Sequence, residues 1–73
     1  MQATYRFGFI GAGAMAEAIA AGMLKKGLCG SGDIIMSNRS GEKLQRLQQE
    51  LGIVAAVDNN QVMSEAEYII LAV

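Results

Sequence analysis

The 73-residue sequence contains no histidine, no proline and only one cysteine, Cys29. A single cysteine excludes an internal disulfide. With one thiol and no imidazole, a zinc site of the usual Cys/His kind lacks ligands, so no metal is expected. Charge is sparse and balanced, with 6 Lys and Arg against 7 Asp and Glu. No run of basic residues occurs, which argues against nucleic acid or an anionic membrane surface as a partner. There is no linker, no low-complexity segment and no repeat of solenoid length. The nearly uncharged stretch from Phe7 to Leu24 is not read as a membrane span. Glu17 sits in its middle, where an acidic residue costs roughly 2.5–3.5 kcal/mol in a bilayer. The leader before it carries only Arg6, too little for a secretory signal. A soluble strand and helix are expected there, in a cytoplasmic protein.

What is present is a high apolar content, 52% of residues, which favours a packed fold over disorder. Much of the information lies in Phe7-Gly8-Phe9-Ile10-Gly11-Ala12-Gly13-Ala14-Met15-Ala16. A short apolar run stops on glycines and continues with helical periodicity. Gly11, Gly13 and Ala16 fit the pattern G-x-G-x-x-G/A, in which a strand turns tightly into a helix whose N-terminus faces a pyrophosphate. A side chain at Gly11 would obstruct the turn, one at Gly13 would hold the backbone away from phosphates, and Ala16 is small so that the helix can lie on the strand.

The rest of the chain alternates in the same way. Tyr5 to Ile10 reads as a strand buried on both faces. A helix follows from about Ala14 to Lys26, with Met15, Ala18, Ile19, Gly22 and Met23 as its inward face and Gly27 beyond its end. Gly22 is explained by close packing against the sheet. Asp33 to Ser37 is a second strand and Asn38-Arg39-Ser40-Gly41 a turn. Glu42 to Leu51 is a helix capped by Ser40, with Leu44, Leu47 and Leu51 inward. Ile53 to Val57 is a third strand. Asp58 and Gln61 stand at capping-box spacing before a short helix that ends near Glu65. Glu67 to Val73 is a fourth strand. The expected fold is α/β, a Rossmann-type parallel sheet in the order 3-2-1-4. A chain this short buries only about 60% of its unfolded surface. Its three helices also leave such a sheet incompletely covered, so residues 1–73 are expected to be the N-terminal part of a longer dinucleotide-binding domain.

The end of the second strand bears on which dinucleotide binds. An NAD site usually carries a carboxylate there for the ribose 2′-hydroxyl. Here the residues are Ser37, Asn38, Arg39 and Ser40, a guanidinium among neutral donors, suited to the 2′-phosphate of NADP. The alternative for Arg39 is a solvated arginine in a turn. Amides around Ala12, Ala14 and Met15 are expected at the pyrophosphate. Asn59 follows the third strand at the ligand edge of the sheet, and on the residues alone helix capping is the favoured explanation for it. Ala72 and Val73 close the fourth strand at the same edge. Cys29, in a loop, reads as incidental rather than nucleophilic, and Met15, Met23, Met36 and Met63 read as apolar-face residues. No residue is a general acid, base or nucleophile, so no catalytic residue is expected within the chain.

Gly8-Phe9-Ile10-Gly11-Ala12-Gly13-Ala14-Met15-Ala16-Glu17-Ala18-Ile19 closely resembles the opening of pyrroline-5-carboxylate reductases. The Met-Ala-Glu-Ala-Ile helix start is far more specific than the glycines. Ser37-Asn38-Arg39-Ser40 is similar to that family's NADP-selecting turn. Asp58-Asn59 and Leu71-Ala72-Val73 sit where the family has a cofactor-contacting asparagine and an Ala-Val strand ending. The Lys-Pro that usually follows in the family is missing. The resemblance implies hydride transfer from NADPH to the C=N carbon of 1-pyrroline-5-carboxylate, giving L-proline, in a homo-oligomeric enzyme. Its helical C-terminal domain, which builds the substrate site, lies outside this chain. A β-hydroxyacid dehydrogenase type of reductase is the alternative enzyme. Those resemble Gly-Phe-Ile-Gly-Leu-Gly-x-Met-Gly, against Ala12 and Ala16 here. A nucleotide-binding module without catalysis is the third reading.

Overall fold

The computed structural model describes residues 3–71. Four strands and three helices alternate: β1 Tyr5–Ile10, α1 Ala14–Lys25, β2 Ile34–Ser37, α2 Gly41–Leu51, β3 Val54–Ala55, α3 Asn59–Glu65 and β4 Ala66–Leu71. All pairings are parallel and the strand order is β3-β2-β1-β4. In the centre, Phe9 of β1 lies opposite Met36 of β2 and Ile70 of β4. The expected α/β class and the 3-2-1-4 order are both observed. Ala72 and Val73 lie outside the described residues.

Successive side chains of a strand point to opposite faces, and the core divides accordingly. On one face, Phe9, Ile34 and Met36 pack with Ala16 and Ala20 of α1, Leu44 and Leu47 of α2, and Ile53. On the other, Ile35 packs with Val62 of α3, Ala56 and Ala66. The central β1 makes close contact with α3. A Cβ at Gly8 would stand 2.6 Å from both Ala66 Cβ and Val62 Cγ1. Only glycine lets α3 and β4 approach β1 this closely.

Several boundaries differ from the sequence reading. β2 starts one residue late because Asp33 ends a short 3₁₀ turn, Ser31–Asp33, with its carboxylate accepting the Gly30 N–H at 2.9 Å. β3 is reduced to Val54–Ala55 because it is an edge strand paired with β2 alone. β4 begins at Ala66 rather than Glu67, and α2 includes Gly41. Ser40 caps α2 as expected, its Oγ accepting the Lys43 N–H at 3.3 Å. At α3 the Asp58 side chain accepts the Gln61 N–H at 2.9 Å, but the Gln61 side chain accepts from Val57 rather than Asp58, at 2.8 Å. The box is therefore closed one residue earlier in the chain.

The largest correction concerns α1. Its buried positions are Ala16 and Ala20, with Met23 and Leu24 partly covered. Met15, at 70% exposure, and Ile19 lie outside. Met63 is exposed too, so of Met15, Met23, Met36 and Met63 only Met36 and Met23 join the core. Gly22 faces open space rather than the sheet. The helix is apolar nearly all round, so its periodicity fits two stripes equally. Close approach to the sheet decides between them, because it admits alanine and not methionine or isoleucine. On its outer side α1 is tied to α2 by Arg46, whose guanidinium bonds Glu17 at 3.0 Å and Glu50 at 2.9 Å.

Candidate functional site

The carboxyl ends of β1 and β2 and the start of α3 meet at one cleft of about 410 Å³. Its lining is Ile10, Gly11, Ala12, Gly13, Asn38, Arg39, Lys43 and Asn59. The chain leaves β1 through Gly11, which has φ 99°, a conformation that disfavours any side chain. The Gly11 N–H donates to the Ser37 carbonyl at 2.9 Å, so the turn is pinned to the end of β2. Gly13 then caps α1 with ordinary extended geometry, φ −77° and ψ −174°. A Cβ placed there would meet no atom within 4 Å. Neither backbone strain nor internal packing requires glycine at 13. Gly13 does line the cleft, so the reason for glycine is sought in a ligand's close approach to the backbone. Ala14 and Met15 are the first two residues of α1, and their N–H groups are among those a helix leaves unpaired at its N-terminus.

Asn38 and Arg39 follow β2 and form a wall of the same cleft. Lys43 joins them from the first turn of α2. The wall thus presents two cations, and no carboxylate occurs in the cleft lining, in a chain whose net charge is −1. The sequence reading missed Lys43, which is not among the inward residues Leu44, Leu47 and Leu51 and is given no role there. One signal was available. The first turn of a helix disfavours positive charge, so a lysine three residues after the cap calls for a reason outside the helix.

Six of the residues picked from sequence therefore meet at the cleft: Gly11, Ala12, Gly13, Asn38, Arg39 and Asn59. The side chains of Ala14, Met15, Ser37 and Ser40 do not line it. Ser40 is exposed and its oxygen is occupied in capping α2. Ser37 is only 2% exposed, and its hydroxyl donates to Asn59 Oδ1 at 2.5 Å. Ala72 and Val73 fall outside the described residues. Cys29 lies away from the cleft. Partial burial pushes its thiol above the ordinary value, the Asp33 carboxylate adds to that, and the Arg6 charge opposes it. A thiol held protonated is a poor nucleophile, which agrees with an incidental role. Among the described residues, no cluster of His, Cys, Asp or Glu could hold a metal ion.

The donor set fits a dinucleotide. A turn with glycine at positions 11 and 13 lines the cleft beside free helix amides, and Arg39 and Lys43 line the same cleft. Comparison with known proteins points the same way. Residues 6–73 match the family described as NADP oxidoreductase, coenzyme F420-dependent. Pyrroline-5-carboxylate reductase 2 of Bacillus subtilis is 37% identical over 68 residues, covering 92% of this chain and 24% of the relative. The pyrroline-5-carboxylate reductase of Methanosarcina acetivorans is 38% identical over 68 residues, covering 93% of this chain and 25% of that protein. A solved pyrroline-5-carboxylate reductase from Coxiella burnetii superposes with a TM-score of 0.85 at 34% identity, covering 96% of this chain and 26% of that structure. The chain spans about a quarter of the length of the relatives it matches.

Proposed function

Because the chain belongs to the family described as NADP oxidoreductase, coenzyme F420-dependent, we propose that it is the NADP-binding portion of a longer reductase that converts 1-pyrroline-5-carboxylate to L-proline in the cytoplasm. The observation that carries the reading is the cleft at the ends of β1 and β2, lined by the glycine turn together with Arg39 and Lys43. A pyrophosphate fits against the N–H groups of Gly13, Ala14 and Met15, where the helix dipole favours negative charge. The 2′-phosphate of the adenosine ribose fits against Arg39, Lys43 and Asn38. A carboxylate in that wall would repel the phosphate and favour NAD. Its absence supports NADP.

Bound NADPH supplies a hydride to the imine carbon, and a proton completes the amine. The residues of this chain bind and orient; none is placed to transfer that proton. Holding two reactants in register is itself a large part of such a reaction. The substrate site and the contacts between subunits are assigned to sequence outside these 73 residues. The apolar side chains left exposed on β4, Tyr68 at 55% and Leu71 at 68%, support a sheet that is covered by more protein. Among the described residues, no helix is long and apolar enough to cross a membrane.

The test is NADPH oxidation by the intact protein with 1-pyrroline-5-carboxylate as acceptor. Turnover with formation of proline is expected. Inactivity with that imine, together with oxidation of a β-hydroxyacid in the presence of NADP, would overturn the reading.

A further inference from the structure

Ser37 was picked from sequence as a direct donor to the nucleotide, yet it does not reach the cleft. It is 2% exposed, and its carbonyl and its hydroxyl are both engaged across the site. Its carbonyl accepts the Gly11 N–H at 2.9 Å. Its hydroxyl donates to Asn59 Oδ1, 22 residues along the chain, at 2.5 Å. Through this one residue the end of β2 is joined to the glycine turn after β1 and to the first residue of α3.

We propose that Ser37 is a positioning residue that fixes the Asn59 side chain so that its amide N–H groups face the cleft as donors. An asparagine side chain offers one acceptor oxygen and two N–H donors. Here the acceptor is taken by a buried hydroxyl. The end of Asn59 that remains, in a residue lining the cleft, is the donor end. The nucleotide presents only acceptors along its diphosphate and both donors and acceptors on its riboses. An Asn59 amide fixed this way recognises an acceptor oxygen. A freely rotating Asn59 would present its carbonyl half the time and repel the same oxygen. The capping role open to Asn59 from sequence is filled instead by Asp58, whose side chain accepts the Gln61 N–H. Asn59 is therefore free for a ligand.

The inference rests on the nucleotide-binding reading, and the experiment separates the two. The Gly11 bond uses the Ser37 backbone, so Ser37→Ala removes the hydroxyl link alone. In the ligand-free intact protein, the three-bond coupling between Cα and Nδ2 of Asn59 should report one χ2 rotamer, with the amide in a single orientation. In Ser37→Ala it should average, and in Ser37→Thr, which keeps the hydroxyl, the single rotamer should return. Titration with NADPH should show Ser37→Ala and Asn59→Ala each weakening binding about three- to tenfold, the worth of one hydrogen bond. The double variant should bind as Asn59→Ala does, because the hydroxyl acts only through Asn59. Asn59→Asp, which still accepts from Ser37 but offers no donor, should lose at least as much. Adenosine 2′,5′-bisphosphate, titrated in parallel, assigns the acceptor oxygen to the adenosine half if it reproduces the loss, and to the diphosphate or nicotinamide half if it does not. The same Asn59 rotamer in wild type and Ser37→Ala, additive losses in the double variant, or wild-type binding by Asn59→Asp would each overturn the proposal. Failure of the wild-type protein to bind NADPH would sink the nucleotide reading, while the rotamer measurement would still decide whether Ser37 positions Asn59.

Discussion

Gly11 and Gly13 stand two residues apart in one turn and are glycine for different reasons. Gly11 holds φ 99°, so Gly11→Ala should lower stability by about 1–3 kcal/mol, the usual cost of holding a residue in a sparsely populated backbone region. Gly13 has ordinary backbone angles and open space where a Cβ would go. Gly13→Ala should therefore leave the melting temperature within a degree or two, on the order of a surface substitution, while weakening NADPH binding clearly. Thermal melts and nucleotide titrations on the two variants check both statements. A melting temperature that fell equally for both would show that Gly13 is structural. The fingerprint made both glycines legible in the sequence, but it did not say which of them the fold needs. Arg39 was legible because a missing carboxylate is conspicuous. Lys43 was not, because helix periodicity places it with the solvated residues and only the fold brings it beside Arg39. Ser37 was misread for a related reason: the end of a strand can face the ligand or the core, and its burial is decided by α3, which packs from elsewhere in the chain.

At the level of elements, the central strand is defined by what packs on it. α3 and β4 rest on Gly8, where a Cβ would lie 2.6 Å from Ala66 and Val62. Ala66 Cβ has no rotamer with which to yield. Gly8→Ala should cost about 1–3 kcal/mol, as overpacking does, measured by denaturant unfolding. A stability unchanged by this variant would mean that α3 sits farther from β1. On the opposite face, Leu47→Ala should cost about 2–5 kcal/mol, as fully buried leucines do, because Leu47 joins α2 to Phe9 and Met36 in one cluster. The strongly amphipathic α2, with its Ser40 cap and its Leu44, Leu47 and Leu51 stripe, could be read from sequence almost residue for residue. α1 could be located but not rotated. With apolar residues around nearly its whole circumference, it carries no internal mark of which side is inward. The tight fit of Ala16 and Ala20 over the sheet supplies that mark only once the helix is docked.

For the whole molecule, the order β3-β2-β1-β4 sets the chemistry. The turn after β1 and the turn after β2 lie side by side because those strands pair, and α3 reaches the same edge from β3. The alternation of strands and helices was enough to anticipate this topology, since parallel strands joined by right-handed crossovers leave few arrangements. On the proposed reading the cleft residues bind the cofactor, and the substrate and its proton are handled elsewhere in the intact protein. The 73-residue chain alone should therefore show no reduction of 1-pyrroline-5-carboxylate and weaker NADPH binding than the intact enzyme, measured by absorbance at the nicotinamide band. Turnover by the isolated chain would refute that division of labour.

The central claim is that Arg39 and Lys43 form a 2′-phosphate wall in the cleft that the glycine turn also lines. Titrating NADPH and NADH in parallel into the intact protein and into its Arg39→Ala/Lys43→Ala variant tests it most directly. Each lost charge-assisted hydrogen bond is worth about 1.5–3 kcal/mol, and about 1.4 kcal/mol is tenfold in affinity. NADPH binding should fall at least about tenfold to a hundredfold, NADH binding should stay nearly unchanged, and the preference for NADPH should disappear. Equal losses for both nucleotides, or a preference that survives the double substitution, would contradict the account.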